Sequence, residues 1–195
     1  MKSRLIPVLL MAIVSLSLGS CGYNKLVTYD EACNGRWAQV ENAYQRRADL
    51  IPNIVETVKG EANFEQETLT KVMEARASAT QVKIDPSNMT EEDIKRFEDA
   101  QYSFGGTISR LMSVAEAYPT LQANQAFRDL RIELEGTENR ISVERKNFID
   151  AVQLYNTTRR KFPTNITASL FGFGKRATFT AKPGSEDAPK VDFSK

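Results

Sequence analysis

Few side chains in this chain could do chemistry. Histidine is absent, cysteine occurs twice, and the remaining acid–base groups are mainly 25 carboxylates. Without an imidazole there is no Ser-His-Asp or Cys-His relay, because both need that ring as the base. Zinc sites with histidine ligands are excluded as well, and two thiolates fall short of a four-thiolate site. Paired Asp or Glu can carry acid–base chemistry alone, and bundle carboxylates can hold two metals when Glu-x-x-His repeats supply nitrogen ligands. No such repeat can exist here, and the charged residues fall at the spacings of solvated helix faces. The expectation is therefore a protein that is not an enzyme, with no catalytic residue, metal, cofactor or small-molecule substrate.

The thiols have separate readings. Lys2 and Arg4 precede an apolar run from Leu5 to Leu18, followed by Gly19-Ser20-Cys21. A basic start, a short apolar stretch and small residues before a cleavage point describe a signal peptide over residues 1–20. The run is shorter than the ~20 residues that span a hydrocarbon core. A cysteine after Leu-Gly-Ser resembles the bacterial lipobox, in which that thiol receives a diacylglycerol and becomes the mature N-terminus. Cys21 is thus the expected lipid attachment site, and residues 21–25 the expected lipid-anchored linker. Gly22 lacks the aspartate associated with inner-membrane retention, which points to the outer membrane. Cys33 has no intramolecular partner and reads as a small apolar residue on a helix face.

With 26 basic and 25 acidic residues, the chain is close to neutral. That argues against nucleic acid, whose binding depends on clustered cations neutralising phosphates. No polybasic run in the sequence suggests attraction to anionic lipid.

Helical periodicity organises the rest. Leu26, Cys33, Trp37, Val40, Tyr44, Ala48, Ile51, Val55 and Val58 form one stripe. It holds phase through Pro52, so one long, kinked helix is expected where proline would ordinarily end it. A second helix is expected over 64–82, with Leu69, Val72, Met73, Arg76 and Ala79 in phase. A turn at 85–88 and a cap at Thr90 precede a third, whose seam is Ile94, Phe97, Gln101, Phe104, Ile108, Leu111, Ala115 and Tyr118. Gly105-Gly106 within that seam suggests close approach of another helix. Tyr118-Pro119 is a break. A long fourth helix over 121–162 carries Phe127, Leu130, Leu134, Thr137, Ile141, Phe148, Val152, Tyr155 and Phe162, interrupted by Glu144-Arg145-Lys146. The expected fold is all-α: an antiparallel helical bundle over 26–163 with long first and fourth helices. An irregular tail over 164–195, aromatic and then disordered, follows. In it Leu170, Phe171, Phe173 and Phe179 are the candidate contact residues.

Several blocks resemble the LemA family: Tyr23-Asn24-Lys25-Leu26-Val27, Arg46-Arg47-Ala48-Asp49-Leu50-Ile51-Pro52-Asn53, Val58-Lys59-Gly60, Glu74-Ala75-Arg76, Tyr118-Pro119, Thr137-Glu138-Asn139-Arg140-Ile141, Tyr155-Asn156-Thr157 and Phe162-Pro163. The resemblance spans about Tyr23 to Phe179. It implies an envelope protein anchored at its N-terminus with a mostly helical outer domain, and it supplies no reaction. Phe64 stands where the family often has histidine, and Phe148-Ile149 where it usually has Tyr-Asn.

If the first and fourth helices run antiparallel, Asp49 lies level with Arg140, and Arg46 and Arg47 lie near Glu138 and Glu144. These six residues form an expected inter-helix polar cluster, with at least one Arg–carboxylate pair setting register. The functional expectation is an interaction or scaffold module in the bacterial envelope. It would be held on the periplasmic face of a membrane through lipid on Cys21 and bind an envelope protein partner the sequence does not identify. The alternative readings are a membrane-surface binder using the aromatic tail, and a carboxylate-based enzyme.

Overall fold

The computed structural model describes residues 2–61 and 64–180, with side chains from residue 22 onward. Its helices are α1 (Lys2–Lys59), α2 (Gln66–Gln81), α3 (Glu91–Ala115), α4 (Pro119–Ala123), α5 (Gln125–Arg160) and α6 (Thr164–Leu170). Among the described residues there is no strand. The side chain of Cys21 and the last fifteen residues lie outside what the structure describes, so the lipid site and the far tail are not seen.

Helices α1 and α5 form one long antiparallel pair, and α2 and α3 form a shorter one beside it. The core divides along the long axis into two halves. One gathers Ile51, Ile54, Val58, Val72, Leu111, Leu121 and Phe127. The other gathers Leu26, Trp37, Val40, Phe97, Phe148, Val152 and Tyr155. In the second half Trp37 packs edge-on to both Phe97 and Phe148, at 5.2 and 5.3 Å between ring centroids.

Element boundaries depart from the sequence reading in four places. First, α1 begins upstream of Leu26, and 21–25 continue the helix instead of forming a linker, since nothing there breaks it. Second, α2 is trimmed to Gln66–Gln81; Phe64 lies before it, buried, with its ring 5.0 Å from Tyr118. Third, the fourth helix is divided at Asn124. This residue is extended (ψ 121°), and its side chain accepts from the Phe127 amide to start α5. An asparagine stabilises that capping conformation better than an interior helical one. Fourth, the tail is ordered through Thr180 and contains α6, after which Gly172 takes φ 74° and the Phe173 amide bonds back to the Ala168 carbonyl. A positive φ there is the helix-ending geometry glycine permits.

Two other features follow the sequence closely. Thr90 and Asp93 form a reciprocal capping box on α3, and the α3 seam is buried from Ile94 through Ala115. Pro52 sits inside α1 and has no N–H for the carbonyl of Ala48. That carbonyl instead accepts a hydrogen bond from Arg76 Nε of α2 at 2.6 Å. A polar residue in the α2 seam thus repairs the gap a proline makes in α1.

Cys33 is fully buried. Burial, partly offset by Arg176, pushes its thiol up to about 11 from an ordinary 9.0. Across that window the unfolded chain has lost a proton the folded chain keeps, so stability falls as pH rises. Native protein is expected to resist iodoacetamide at about pH 8. Its urea midpoint is expected to drop between about pH 9 and 11. In Cys33→Ala that drop should shrink to what remains from Tyr155, whose hydroxyl burial holds up to about 12. An equal drop in both proteins would show that Cys33 does not contribute.

Candidate functional site

The two core halves meet at a polar layer built around Arg47. This side chain is 4% exposed. Its Nη1 donates to Glu138 Oε1 of α5 at 2.8 Å, and its Nη2 donates to Gln101 Oε1 of α3 at 2.7 Å. The same Nη2 reaches the Gln101 carbonyl at 3.2 Å. Gln101 Nε2 donates in turn to the Ala79 carbonyl at the end of α2. The guanidinium lies over the rings of Tyr44 and Phe104 at 5.0 and 5.3 Å, an arrangement that suits its planar, weakly hydrated cation. One arginine therefore touches α3 and α5 directly and α2 through Gln101. Its Nε is buried without a hydrogen-bond partner.

Two more arginines repeat the device. Arg145 of α5 donates to Glu98 at 2.5 Å and to the Tyr44 hydroxyl at 3.2 Å, with its guanidinium 3.8 Å from the Phe179 ring centroid. Burial pulls its pKa down, but the bonds to Glu98 and Tyr44 outweigh that and hold it above the usual arginine value. Arg176, from the tail, donates to Asp30 at 2.8 Å, to Asn34 at 2.9 Å, and to the Pro86 carbonyl. It clamps the tail onto α1, and Phe179 is buried beside Trp37 and Phe148.

The six-residue cluster expected from the sequence is divided between two faces. Arg47 and Glu138 meet. Arg46, one residue earlier and about 100° around the helix, flanks the other edge of the α1–α5 contact and pairs with Glu133. Asp49 is on that side too, accepting from Gln45 at 2.7 Å and lying 3.7 Å from Arg76. Arg140 pairs within its own helix with Glu144 at 3.7 Å. Asp49 and Arg140 are not brought together. The partners missed from sequence had unequal signals. Gln101 was a polar residue in an apolar seam, and Arg145 marked the seam's interruption. Arg176 sat in a segment without periodicity, so nothing pointed to it.

Beside this layer a groove of about 900 Å³ runs between α3 and α5. Ile108, Met112, Leu134 and Ile141 supply apolar surface, and Arg47, Glu138, Glu98 and Arg145 supply charge. The Gly105-Gly106 pair lines it. A β-carbon at Gly106 would meet nothing within 4 Å, and one at Gly105 would meet only Arg47 Nη1 at 3.8 Å. Among the described residues the pair is approached only by the Arg47 side chain of α1, not by a closely packed helix as expected. Of the four glutamates lining the groove, Glu138, Glu98 and Glu135 are engaged by Arg47, Arg145 and Arg131. Among the described residues, no cluster of three or more carboxylates, thiols or imidazoles is placed to hold a metal ion.

The tail candidates also separate. Phe179 is buried and Phe173 half-buried, whereas Leu170 and Phe171 are exposed at 76% and 58%. Phe162, expected in the α5 seam, is 80% exposed because α5 ends at Arg160. Among the described residues no helix is long and apolar enough to cross a membrane.

The family model described as the LemA family matches residues 36–193. Among curated proteins, the chain is 26% identical to Magnetosome protein MamQ 2 of Paramagnetospirillum magneticum over 84% of this chain and 66% of that protein. It has the same identity and coverage against Magnetosome protein MamQ of Magnetospirillum gryphiswaldense. It is 23% identical to Protein LemA of Metamycoplasma hominis, over 81% of this chain and 68% of that protein. The chain thus spans just under two thirds of the length of the magnetosome relatives it matches.

The polar layer generates a stability prediction. Glu138→Ala leaves the buried Arg47 charge with only neutral partners, whereas Arg47→Met replaces the charge with apolar volume. Breaking one side of a buried pair costs more than replacing the charge. Since Glu138 is half-exposed, Glu138→Ala is expected to cost roughly 1–2 kcal/mol in urea unfolding and to exceed Arg47→Met. The reverse order would mean that Arg47 packing, not its charge, matters at this layer.

Proposed function

This chain belongs to the LemA family, and from that premise we propose that it is an anchored envelope module that binds another protein through the groove between α3 and α5. The observation that carries this reading is the glycine pair. Each glycine in a helix interior costs about 1 kcal/mol relative to alanine, and α3 is otherwise a regular 25-residue helix. Among the described residues only the Arg47 guanidinium comes near the pair, at 3.8 Å from a β-carbon placed on Gly105, and Gly106 faces open space. The space they leave would let a helix of a partner lie close to α3, against half-buried Met112 and exposed Tyr102. Glu116 at the rim, beside a Glu135 that already pairs with Arg131, would favour a partner segment with a basic flank. The division of labour is then simple: the arginine layer holds the bundle rigid, and the groove presents a fixed shape. A rigid surface binds with less ordering cost than a mobile one.

Anchoring belongs to the same reading. The Cys21 thiol accepts a diacylglycerol, residues 1–20 are then removed, and the bundle is left outside the cytoplasmic membrane. A magnetosome protein among the relatives fits a role at a membrane.

Two experiments test these parts separately. Gly106→Leu fills open space with a better helix former, so it is expected to raise stability by about 1 kcal/mol. In the same variant, a photo-crosslinker at Ser109 in the groove should lose the adduct it forms in intact cells with the wild-type surface. An adduct that persists unchanged removes the groove from the interaction. Cys21→Ser should abolish lipidation, leaving unprocessed precursor or releasing soluble protein. Processed wild-type protein whose Cys21 carries no diacylglycerol by mass spectrometry would exclude the lipid anchor and leave the groove reading intact.

A further inference from the structure

The end of the bundle where α1 leaves the described side chains carries an apolar surface facing outward. Phe162, Ile166 and Leu170 are spaced by four residues and are 80%, 59% and 76% exposed, with Phe171 beside them at 58%. Within α6 the usual arrangement is inverted. Thr167 and Ala168 face the bundle and are buried, while the large apolar side chains face out. A helix normally directs its apolar stripe to the core, and a contiguous exposed one marks a contact surface.

Two observations say what covers it. The first is position. Gly22 packs against α6 so closely that a β-carbon there would stand 3.1 Å from Thr167 Oγ1. The Tyr23 ring sits 5.0 Å from the Phe171 ring. The patch therefore lies one residue from Cys21, at the end from which the apolar run Leu5–Leu18 extends. The second is charge. Residues 22–29 and 157–170 contain Lys25, Arg159, Arg160 and Lys161 and not one carboxylate; farther along the tail, Lys175 and Arg176 are already paired with Glu91 and Asp30. The sequence scatters these cations over two distant segments; the fold gathers them at one end, where α6 packs against both α1 and α5. Aromatic and aliphatic side chains ringed by cations are the composition of a surface that enters an anionic membrane interface.

We infer that this end of the bundle is a membrane contact. Phe162, Ile166, Leu170 and Phe171 insert at the headgroup–acyl boundary of an anionic bilayer and stand the bundle upright on it. The inference rests on the anchoring reading only for which end meets the membrane. An anchor at the same end holds the patch close to the bilayer, so even a weak surface contact is engaged through high effective concentration. Neither the exposed stripe nor the cations need Cys21 to act, so the two readings can fail independently.

The test uses full-length chain isolated from membranes and reconstituted into vesicles of phosphatidylethanolamine and phosphatidylglycerol. Tryptophan is placed singly by F162W, L170W or I132W. All three positions are exposed, so none of the variants disturbs packing, and the native Trp37 is buried and serves as background. Ile132 lies about 40 Å along α5 from the patch. With lipids brominated near the headgroup end of the acyl chain, F162W and L170W emission is expected to be quenched several-fold more than I132W. Equal quenching at all three sites, with the protein still floating with vesicles, overturns the inference and leaves anchoring standing. That is also the result if a second copy or a protein partner covers the patch. Failure to float with vesicles overturns both readings.

Discussion

A buried guanidinium between two apolar cores is the constraint on which the rest of this bundle depends. Arg47 can be inside only because Glu138, Gln101 and two aromatic faces receive it together. Those groups come from separate helices. If α5 slid by a turn along α1, or α3 rotated, the charge would be left in a low-dielectric interior without partners, which is strongly unfavourable. Apolar seams alone tolerate such slips, because one leucine replaces another. The layer thus adds little to stability but discriminates against wrong registers, the role in which buried polar groups are best attested.

The same logic recurs along α1. Arg145 reaches Tyr44 and Glu98, and Arg176 reaches Asp30, Asn34 and the Pro86 carbonyl. Arg76 fills the donor vacancy at Ala48 left by Pro52. In each case an arginine from another element, α2, α5 or the tail, answers a particular group on α1. A single long helix serves as the axis, and the other elements are keyed to it by forked donors. Lysine would not serve equally, since one flexible ammonium cannot hold several acceptors in a fixed geometry.

This framework leaves two surfaces that the chain does not use internally. One is the groove beside the glycine pair; the other is the outward apolar stripe at the α6 end. They differ in character. The groove is walled by rigid helices and mixes apolar and charged groups, as a protein-binding surface does. The stripe is convex, aromatic and surrounded by cations. Their separation along the molecule would allow a bundle seated on a membrane at one end to hold a partner along its side.

Seams, caps and breaks were legible in the sequence because they depend on neighbours within a turn or two. The α3 seam, the Thr90 cap and the stripe running through Pro52 were all local patterns, and helical periodicity with proline and glycine punctuation is enough to write them down. The all-α fold and its dominant antiparallel pair follow from those lengths and short connections. What the sequence could not supply was direction across space. Arg46 and Arg47 are adjacent letters about 100° apart on one helix, and each meets a different glutamate of α5. Arg140 had a partner four residues away that was as good as one on α1. Arg176 and Phe179 had no period to betray them, and they dock only because α1 and α5 together build the socket. Gly105 and Gly106 implied a close neighbour, but only the tertiary structure showed that, among the described residues, Gly106 faces open space and Gly105 meets just the Arg47 side chain. Cations scattered over two distant segments became one surface when α6 folded against α1. Periodicity records which side chains face inward; which groups they meet there is decided by register between helices, and register is a property of the assembled core.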